Sequence, residues 1–477
     1  MNPKMMFINP HPKGMWIIAI SSIFFTVGIA SIVNAFVPFA VQTLLLKNDV
    51  AYNISSVAFL FLLNFSALAG GILGHFYNHR RSVIAGGLFS TIGLGLIAIP
   101  NLSLIGVSTY SVGVGLIIPN LYTLLSQLYA INNPKRLSGF MIIYLAANIG
   151  FFFSTALADI LPQYIGFGNF FLISGLFTLI GTYIFLFSEQ DFRIKPGIEL
   201  YKNANKHSYY SLFFILVILS FFANYFLQRL LFSISTILFL SLVSLCFIFY
   251  LAQKSKINPE KPRSSMLIFI LFICSGFWLA NRVSIIIFSQ YSHIILNSKL
   301  FNITSMPINI LYAINVLIVA LVGIYLARLW HKRKRQTGAK TILKVCTISL
   351  LLTSITYLLF WICANEFISN INTNSIIIII ATIIISISEI VLAPIYFATA
   401  GKFAPRKYES IIIGIQQLFV GLMGCIAVAI THQSIEFNKF MQLKNINLSI
   451  TEICIYLFCF LFFVAIVSYI SNYFLRD

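Results

Sequence analysis

The chain has 477 residues, of which 59% are hydrophobic and only 9% are charged, and its mean hydropathy is +0.93. Soluble domains carry about 25% charged residues, so this composition excludes a soluble enzyme, a disordered chain and a disulfide-stapled scaffold. The net charge of +19 would suggest a nucleic-acid partner in a soluble protein, but in a membrane protein it is the ordinary sign of basic cytoplasmic loops.

Fourteen apolar runs have the length of transmembrane helices, which need about 20 apolar residues each. In chain order the predicted spans lie near 15–40, 53–76, 82–100, 103–126, 138–160, 167–188, 209–228, 230–252, 265–290, 307–330, 341–363, 373–400, 408–431 and 451–474. These runs are continuous, whereas the strands of a membrane β-barrel alternate over about ten residues. The sequence therefore predicts an all-α polytopic membrane protein with about fourteen helices.

The longest polar interval, residues 189–208, marks the midpoint of the chain. It predicts a first six-helix bundle over 1–188, a linker with two transmembrane helices over 189–264, and a second six-helix bundle over 265–477. Two bundles that face a site near the membrane midplane are the design of many secondary transporters.

The basic residues predict the orientation in the membrane. If the N-terminus lies inside, the inner loops hold 25 of the 31 Lys and Arg residues, the outer loops hold five, and Arg282 lies within a span. Because basic residues accumulate in cytoplasmic loops, we predict that both termini are cytoplasmic and that the protein crosses the inner membrane of the cell many times. No short apolar run with a cleavage site follows residues 1–14, so we expect no removable signal peptide.

The sequence offers no pattern for catalysis or metal binding. The seven cysteines occur singly inside apolar segments, without metal-ligand spacing, and no nucleophile–base constellation or nucleotide-binding loop is present. We expect no enzyme activity, no cofactor, no metal and no nucleic-acid partner. The expected partners are a small-molecule or short-peptide substrate and the lipid bilayer, and the expected oligomeric state is a monomer.

Two ionisable residues lie deep within predicted spans, Arg282 and Glu389. An ionised side chain at the bilayer centre costs roughly 2.5–3.5 kcal/mol on insertion scales, so such a residue is by default a candidate functional residue. The alternative is that the two form a structural ion pair within the second bundle. Asn148 and Asn315 are amides inside apolar spans, where they either bind substrate or join helices.

Several local motifs resemble those of the proton-dependent oligopeptide transporter family of the major facilitator superfamily. They are His11-Pro12-Lys13-Gly14, Gly70-Gly71 with Arg80-Arg81, Gly113-Val114-Gly115 with Pro119-Asn120, the fifth-span run from Asn133 through Ser138-Gly139-Phe140 and Tyr144 to Asn148-Ile149-Gly150, Phe277-Trp278, Asn315, and Glu389 with Pro394. The resemblance covers nearly the whole chain. It implies the major facilitator fold with two extra linker helices, and it implies peptides or amino-acid-like solutes as substrates. It favours Asn148 as a residue that binds a peptide backbone or carboxylate. With the two deep charges and the other polar or aromatic positions, the candidate substrate-binding residues are Glu389, Asn148, Arg282, Asn315 and Trp278.

The sequence departs from that family at the residues expected to couple transport to protons. Positions of the family's first-span Glu-x-x-Glu-Arg motif are Ser22, Phe25 and Thr26 here, the fourth-span lysine is Ile118, and an acidic residue of the seventh span is Arg282. Proton coupling needs a group that gains and loses a proton beside a charge partner. We therefore expect only weak dependence on a proton gradient, the more so if Arg282 holds Glu389 ionised.

Three functions are compatible with the sequence. The first is a secondary transporter of small peptides or amino-acid-like solutes that works by alternating access. The second is a transporter of another small organic solute, such as a siderophore or a metabolite, including an exporter. The third is a membrane receptor or assembly partner that kept the fold but does not transport.

Overall fold

A computed structural model gives the arrangement of most of the chain. It describes residues 11–47, 50–51, 54, 60–130, 133–158, 160–188, 192, 209–256, 265–296, 310–332, 338–364, 371–431 and 449–474.

The described residues form α-helices and two short 3₁₀ turns, without β-strands. The helices are α1 (Lys13–Gln42), α2 (Leu60–Tyr77), α3 (His79–Ile97), α4 (Ser103–Gln127), α5 (Arg136–Ala158), α6 (Leu161–Ile165), α7 (Phe167–Phe187), α8 (Tyr209–Leu227), α9 (Leu230–Lys256), α10 (Ser265–Leu296), α11 (Ile310–His331), α12 (Ala339–Ala364), α13 (Ile371–Phe403), α14 (Glu409–Ile430) and α15 (Ile450–Phe474). All except the five-residue α6 correspond one to one with the fourteen predicted spans.

Length and hydropathy identify a multi-pass membrane protein. Twelve of the described helices are long and apolar enough to cross a bilayer, and the two other long helices, α2 and α3, occupy predicted spans. The prediction of an all-α membrane fold with about fourteen helices is confirmed.

The predicted start of the third span was three residues late, because the helix begins with polar residues. Asn78 caps α3: its side chain accepts a hydrogen bond from the backbone N–H of Arg80 at 2.9 Å, and its φ is 83°. This cap satisfies one of the N–H groups left free at a helix start. His79, Arg80 and Arg81 therefore belong to the first helical turn, although none of them lies in the apolar run.

The helices of the first bundle pack closely through small residues, as expected for membrane helices. Gly70 of α2 lies against the carbonyl of Gly115 on α4, and Gly86 of α3 lies against the carbonyl of Gly113 on the same helix α4. A side chain at either position on α2 or α3 would collide with that backbone. The small residues that the sequence analysis noted thus bring three helices together around α4.

The linker helices lie beside the bundles, with α8 packed on α4 and α9 packed on α14. The two bundles meet mainly through α2 with α14 and through α5 with α11 and α13. We call the end of the molecule where α1 and α5 begin and α11 ends the basic end. The described hydrogen bonds between the two bundles join residues from the level of Glu389 to this end.

Candidate substrate site

Glu389 of α13 is the centre of a polar cluster built by four helices. The Tyr144 hydroxyl of α5 donates to its Oε1 at 2.5 Å, the Asn281 amide of α10 donates to its Oε2 at 3.2 Å, and the Asn315 amide of α11 reaches the same oxygen at 3.5 Å. Tyr144 belongs to the first bundle and the other three residues to the second. A single carboxylate therefore joins the two halves of the protein near the middle of the bundle.

The helical period of α13 places a second polar side chain beside the carboxylate. Ser386 precedes Glu389 by three residues, so both lie on one face of the helix, and its hydroxyl accepts a hydrogen bond from the Asn315 amide at 3.0 Å. Ser386 and Asn315 are buried, whereas Glu389 is partly exposed between the buried Ser388 and Ile390. Of these three polar side chains, Glu389 is thus the least buried.

Arg282 is not the partner of this carboxylate. Both side chains are described, and no ion pair within 4.0 Å joins Arg282 to Glu389 in the described part of the chain. Arg282 follows Asn281 by one residue and so points about 100° further around α10, and its stem lies 4.0 Å from the position of a Cβ at Gly424 on α14. The ion pair between Arg282 and Glu389 that the sequence offered as an alternative is therefore not found among the described residues.

The two remaining sequence candidates border the cluster rather than contact the carboxylate. Asn148 lies one turn beyond Tyr144 on the same face of α5, and its amide donates to the Tyr144 carbonyl at 2.9 Å. Trp278 lies three residues before Asn281 and packs against Tyr396 and Phe397 of α13, with ring centroids 6.0 and 6.5 Å away. Trp278 is 7% exposed, and its indole N–H has no hydrogen-bond partner among the described residues.

Sequence reasoning did not select two residues that contact Glu389. Asn281 is an amide in the middle of an apolar span, the same signal that selected Asn148 and Asn315, and it was overlooked because it stands beside the charged Arg282. Tyr144 precedes Asn148 by one helical turn within the fifth-span motif. Tyr144 contacts Glu389 because α5 packs against α13 of the other bundle. The spacing of residues within α5 does not reveal that packing.

Stacked aromatic rings join the two bundles between the cluster and the basic end. Tyr122 of α4 stacks on Phe397 of α13, with centroids 4.8 Å apart and planes 15° apart, and on Phe140 of α5 at 5.8 Å and 5°. Phe397 lies eight residues, about 12 Å along the helix, from Glu389. The two bundles are therefore in contact through stacked rings below the carboxylate.

A buried ion pair closes the basic end itself. Arg136 of α5 lies 3.5 Å from Glu409 of α14, and the two side chains are 7% and 3% exposed. Arg136 also donates to the Gly401 carbonyl of α13 at 2.9 Å and to the Ser126 hydroxyl of α4. Nearby, the Ser410 hydroxyl donates to the Gly71 carbonyl of α2 at 2.8 Å. In this structure these contacts hold the two bundles together at the basic end.

His11 forms a further contact between the bundles, just ahead of α1. Its Nδ1 lies 2.7 Å from the Tyr129 hydroxyl, and its Nε2 lies 3.0 Å from Nδ1 of His331 at the end of α11. Burial, then the charges of His331 and Lys135, lowers the pKa of His11 to about 4. His11 is therefore neutral at pH 7, and its ring carries a single N–H, so it donates one of these two hydrogen bonds and accepts the other.

The polar cluster has the chemistry of a binding site. Glu389 accepts hydrogen bonds from uncharged donors, and it keeps a net negative charge when ionised. No group of three or more His, Cys, Asp or Glu side chains with metal-binding geometry occurs in the searched part of the chain. The cluster therefore offers an anionic acceptor to a cationic group.

Comparisons with known proteins agree with this architecture. The family model described as Major Facilitator Superfamily matches residues 18–428. The chain is 28% identical over 129 residues to dipeptide and tripeptide permease B of Photorhabdus luminescens, 26% of each chain. It is 33% identical over 150 residues to dipeptide and tripeptide permease A of Citrobacter koseri, 28% of this chain and 30% of the permease. The matched stretches thus span only about a quarter to a third of these relatives' length.

The fold also resembles solved structures over nearly its whole length. A POT family transporter in complex with 5-aminolevulinic acid superposes with a TM-score of 0.70 and 18% identity, covering 97% of this chain and 96% of the other. At that identity the similarity shows the fold alone.

Proposed function

The chain belongs to the major facilitator superfamily, and we propose that it is a secondary transporter of small peptides or amino-acid-like solutes. The resemblance to the oligopeptide transporter family is confirmed by the curated relatives and the fold neighbours. Members of this superfamily are transporters rather than enzymes. This agrees with the expectation of no catalytic site.

The observation that carries the proposal is the hydrogen bond between Tyr144 and Glu389. It joins the two bundles near the middle of α13, and transporters of this design bind substrate near the membrane midplane. A cationic group that replaces the Tyr144 hydroxyl at Glu389 would break a contact between the bundles. Binding would thereby alter the equilibrium between their arrangements, because a ligand shifts a conformational equilibrium by its difference in affinity for the two states.

Alternating access is proposed as the mechanism, with this structure as the state closed at the basic end. The Tyr122–Phe397 stack and the Arg136–Glu409 pair are the contacts that would open to release substrate on that side. From the distribution of basic residues we propose that the basic end faces the cytoplasm and that the membrane is the cell's inner membrane. Reporter fusions after Lys47 and Arg136 would then read outside and inside.

We still propose that transport depends only weakly on a proton gradient. Fewer observations support this proposal than the sequence suggested. Arg282 does not support it, since no ion pair joins Arg282 to Glu389 in the described part of the chain. The support that remains is the set of substituted positions. Ser22, Thr26 and Ile118 carry neither a carboxylate nor a guanidinium, and relays in this family use both.

Uptake of labelled alanyl peptides into proteoliposomes tests the proposal, with and without an imposed pH gradient. We expect uptake by the wild-type protein and its loss in Glu389→Gln. The matched control is Glu452→Gln, which changes an exposed carboxylate at the start of α15. Absence of uptake of any alanyl peptide by well-folded protein would refute the proposal. Accumulation that requires an inward proton gradient would refute the weak coupling alone.

A further inference from the structure

The described side chains that contact the Glu389 carboxylate carry no positive charge. Its described partners, Tyr144, Asn281 and Asn315, are a hydroxyl and two amides, all uncharged donors. Such donors satisfy the lone pairs of a carboxylate but leave its net charge uncompensated. A buried or partly buried charge is stabilised far better by an opposite charge. The missing positive charge at this site is one that a ligand can supply.

On α1 of the first bundle, Ser22 and Thr26 occupy positions of the family's charged first-span motif and supply no cation. The Ser22 hydroxyl donates to the Ile18 carbonyl at 2.7 Å, and the Thr26 hydroxyl donates to the Ser22 carbonyl at 2.8 Å, so both groups bond to their own helix. Gly150 of α5 packs directly against Thr26 and the Ile23 carbonyl. This part of α1 is a contact between helices α1 and α5, not a surface for a carboxylate.

Two further side chains at the border of the cluster, Asn148 and Trp278, determine which hydrogen-bonding groups of a substrate can bind there. The Asn148 amide nitrogen is bound to the Tyr144 carbonyl, which leaves its Oδ1 as an acceptor. Trp278 supplies one buried indole N–H without a described partner, and it lies about one helical turn, or about 5 Å, from Asn281 along α10. A single amino-acid residue spans about 3.5 Å, so one or two residues of a substrate cover the rise along α10 between Asn281 and Trp278.

We propose that this site recognises an ammonium group at Glu389 and a neutral carbonyl near Trp278, and that a carboxylate on the substrate contributes nothing to affinity. The substrate class is thus amines that carry an amide or similar carbonyl, rather than zwitterions bound at both charged ends. This inference rests on the proposed function, because it assigns the substrate chemistry of the same site.

Three related compounds test separately how the amino end and the carboxyl end of a substrate contribute to binding. They are alanyl-alanine, alanyl-alanine amide, which lacks the carboxylate, and N-acetyl-alanyl-alanine, which lacks the amine. Binding to the purified full-length protein in lipid nanodiscs is measured at pH 7 by calorimetry. We expect dissociation constants for alanyl-alanine and its amide within threefold of each other, and a value at least 30-fold higher for the acetylated compound. Glu389→Gln should weaken the first two equally, and Ser22→Ala, the matched control, should leave both within twofold.

A preference of tenfold or more for alanyl-alanine over its amide would overturn the inference. If that preference vanished in Arg282→Gln, Arg282 would be the carboxylate-binding residue. If alanyl-alanine were transported but its amide did not bind, the inference would fail while the proposed function stood. If no alanyl compound bound or was transported, both would fail.

Discussion

Arg136 and Glu409 form a buried ion pair that joins the first bundle to the second at the basic end. Each lies at the start of a helix, α5 and α14. A carboxylate is favourable at a helix N-terminus and a cation is not, so Glu409 stabilises both its own helix and the misplaced charge of Arg136. Arg136 in return donates to the Gly401 carbonyl, one of the last four carbonyls of α13 that have no partner within the helix.

Removal of one member of this pair should destabilise the protein strongly. Glu409→Gln leaves the Arg136 guanidinium buried without its counter-charge, and breaking such a pair costs about 3–5 kcal/mol. The double change Arg136→Met with Glu409→Leu should recover most of the loss, because an apolar pair of similar volume replaces both charges. Thermal unfolding of the three proteins in detergent measures this. A double mutant no more stable than Glu409→Gln would show that the pair does not act as a unit.

At Gly401, the addition of a single methyl group should disturb the contact between Arg136 and Glu409. A methyl group there would collide with the Arg136 guanidinium, the Glu409 carboxylate and the Ser126 hydroxyl together. We expect Gly401→Ala to destabilise the protein by about 1–3 kcal/mol, the range for overpacking, and to increase protease cleavage at the basic end. The control is Gly95→Ala on α3, where a Cβ meets nothing within 4 Å and alanine should be neutral or stabilising. Equal effects of the two changes would contradict this account.

The hydrogen bond from Tyr144 should contribute measurably to stability. It is a bond to a carboxylate across the bundle interface, and hydrogen bonds to charged groups contribute about 1.5–3 kcal/mol. Tyr144→Phe should lower the unfolding free energy by that amount and should also reduce uptake of alanyl peptides. Tyr122→Phe is the matched control, since it keeps the stacked ring and removes a hydroxyl with no hydrogen-bond partner among the described residues. A similar loss in both variants would indicate a general packing effect.

The contact between His11 and His331 should make stability depend on pH. The pKa of His11 is lowered to about 4 in the folded protein from about 6.5 in the unfolded chain, so the unfolded state binds more protons between these values. The contribution of His11 to the free energy of unfolding is then fully present above about pH 6.5, and it is lost as the pH decreases towards 4.

His11→Gln should remove this part of the pH dependence. The melting temperature of the wild-type protein is compared with that of the variant between pH 7.5 and 5, and we expect the difference between them to shrink or change sign on acidification. The groups that face His11 are His331, Lys135, Tyr129 and Ser138. A difference independent of pH would show that His11 does not titrate in this range.

The sequence by itself determined the class of fold, and the physical reason is local. A run of about 20 apolar residues forms a helix in a bilayer because every backbone group must be satisfied within the segment. All fourteen long helices were therefore predicted, with ends within seven residues of those observed. The same reasoning found Glu389 and Asn315, because a deep carboxylate or amide is costly wherever it lies in the membrane.

Only the tertiary structure decided which of these groups meet. The rotation of α10 turned Arg282 away from Glu389 and brought Asn281 to it, and the packing of α5 against α13 supplied Tyr144. The pairing of Arg136 with Glu409, 273 residues later in the chain, depends on the two bundles closing together at the basic end. Such contacts follow from the angles and rotations of whole helices, which the period of an apolar run does not specify.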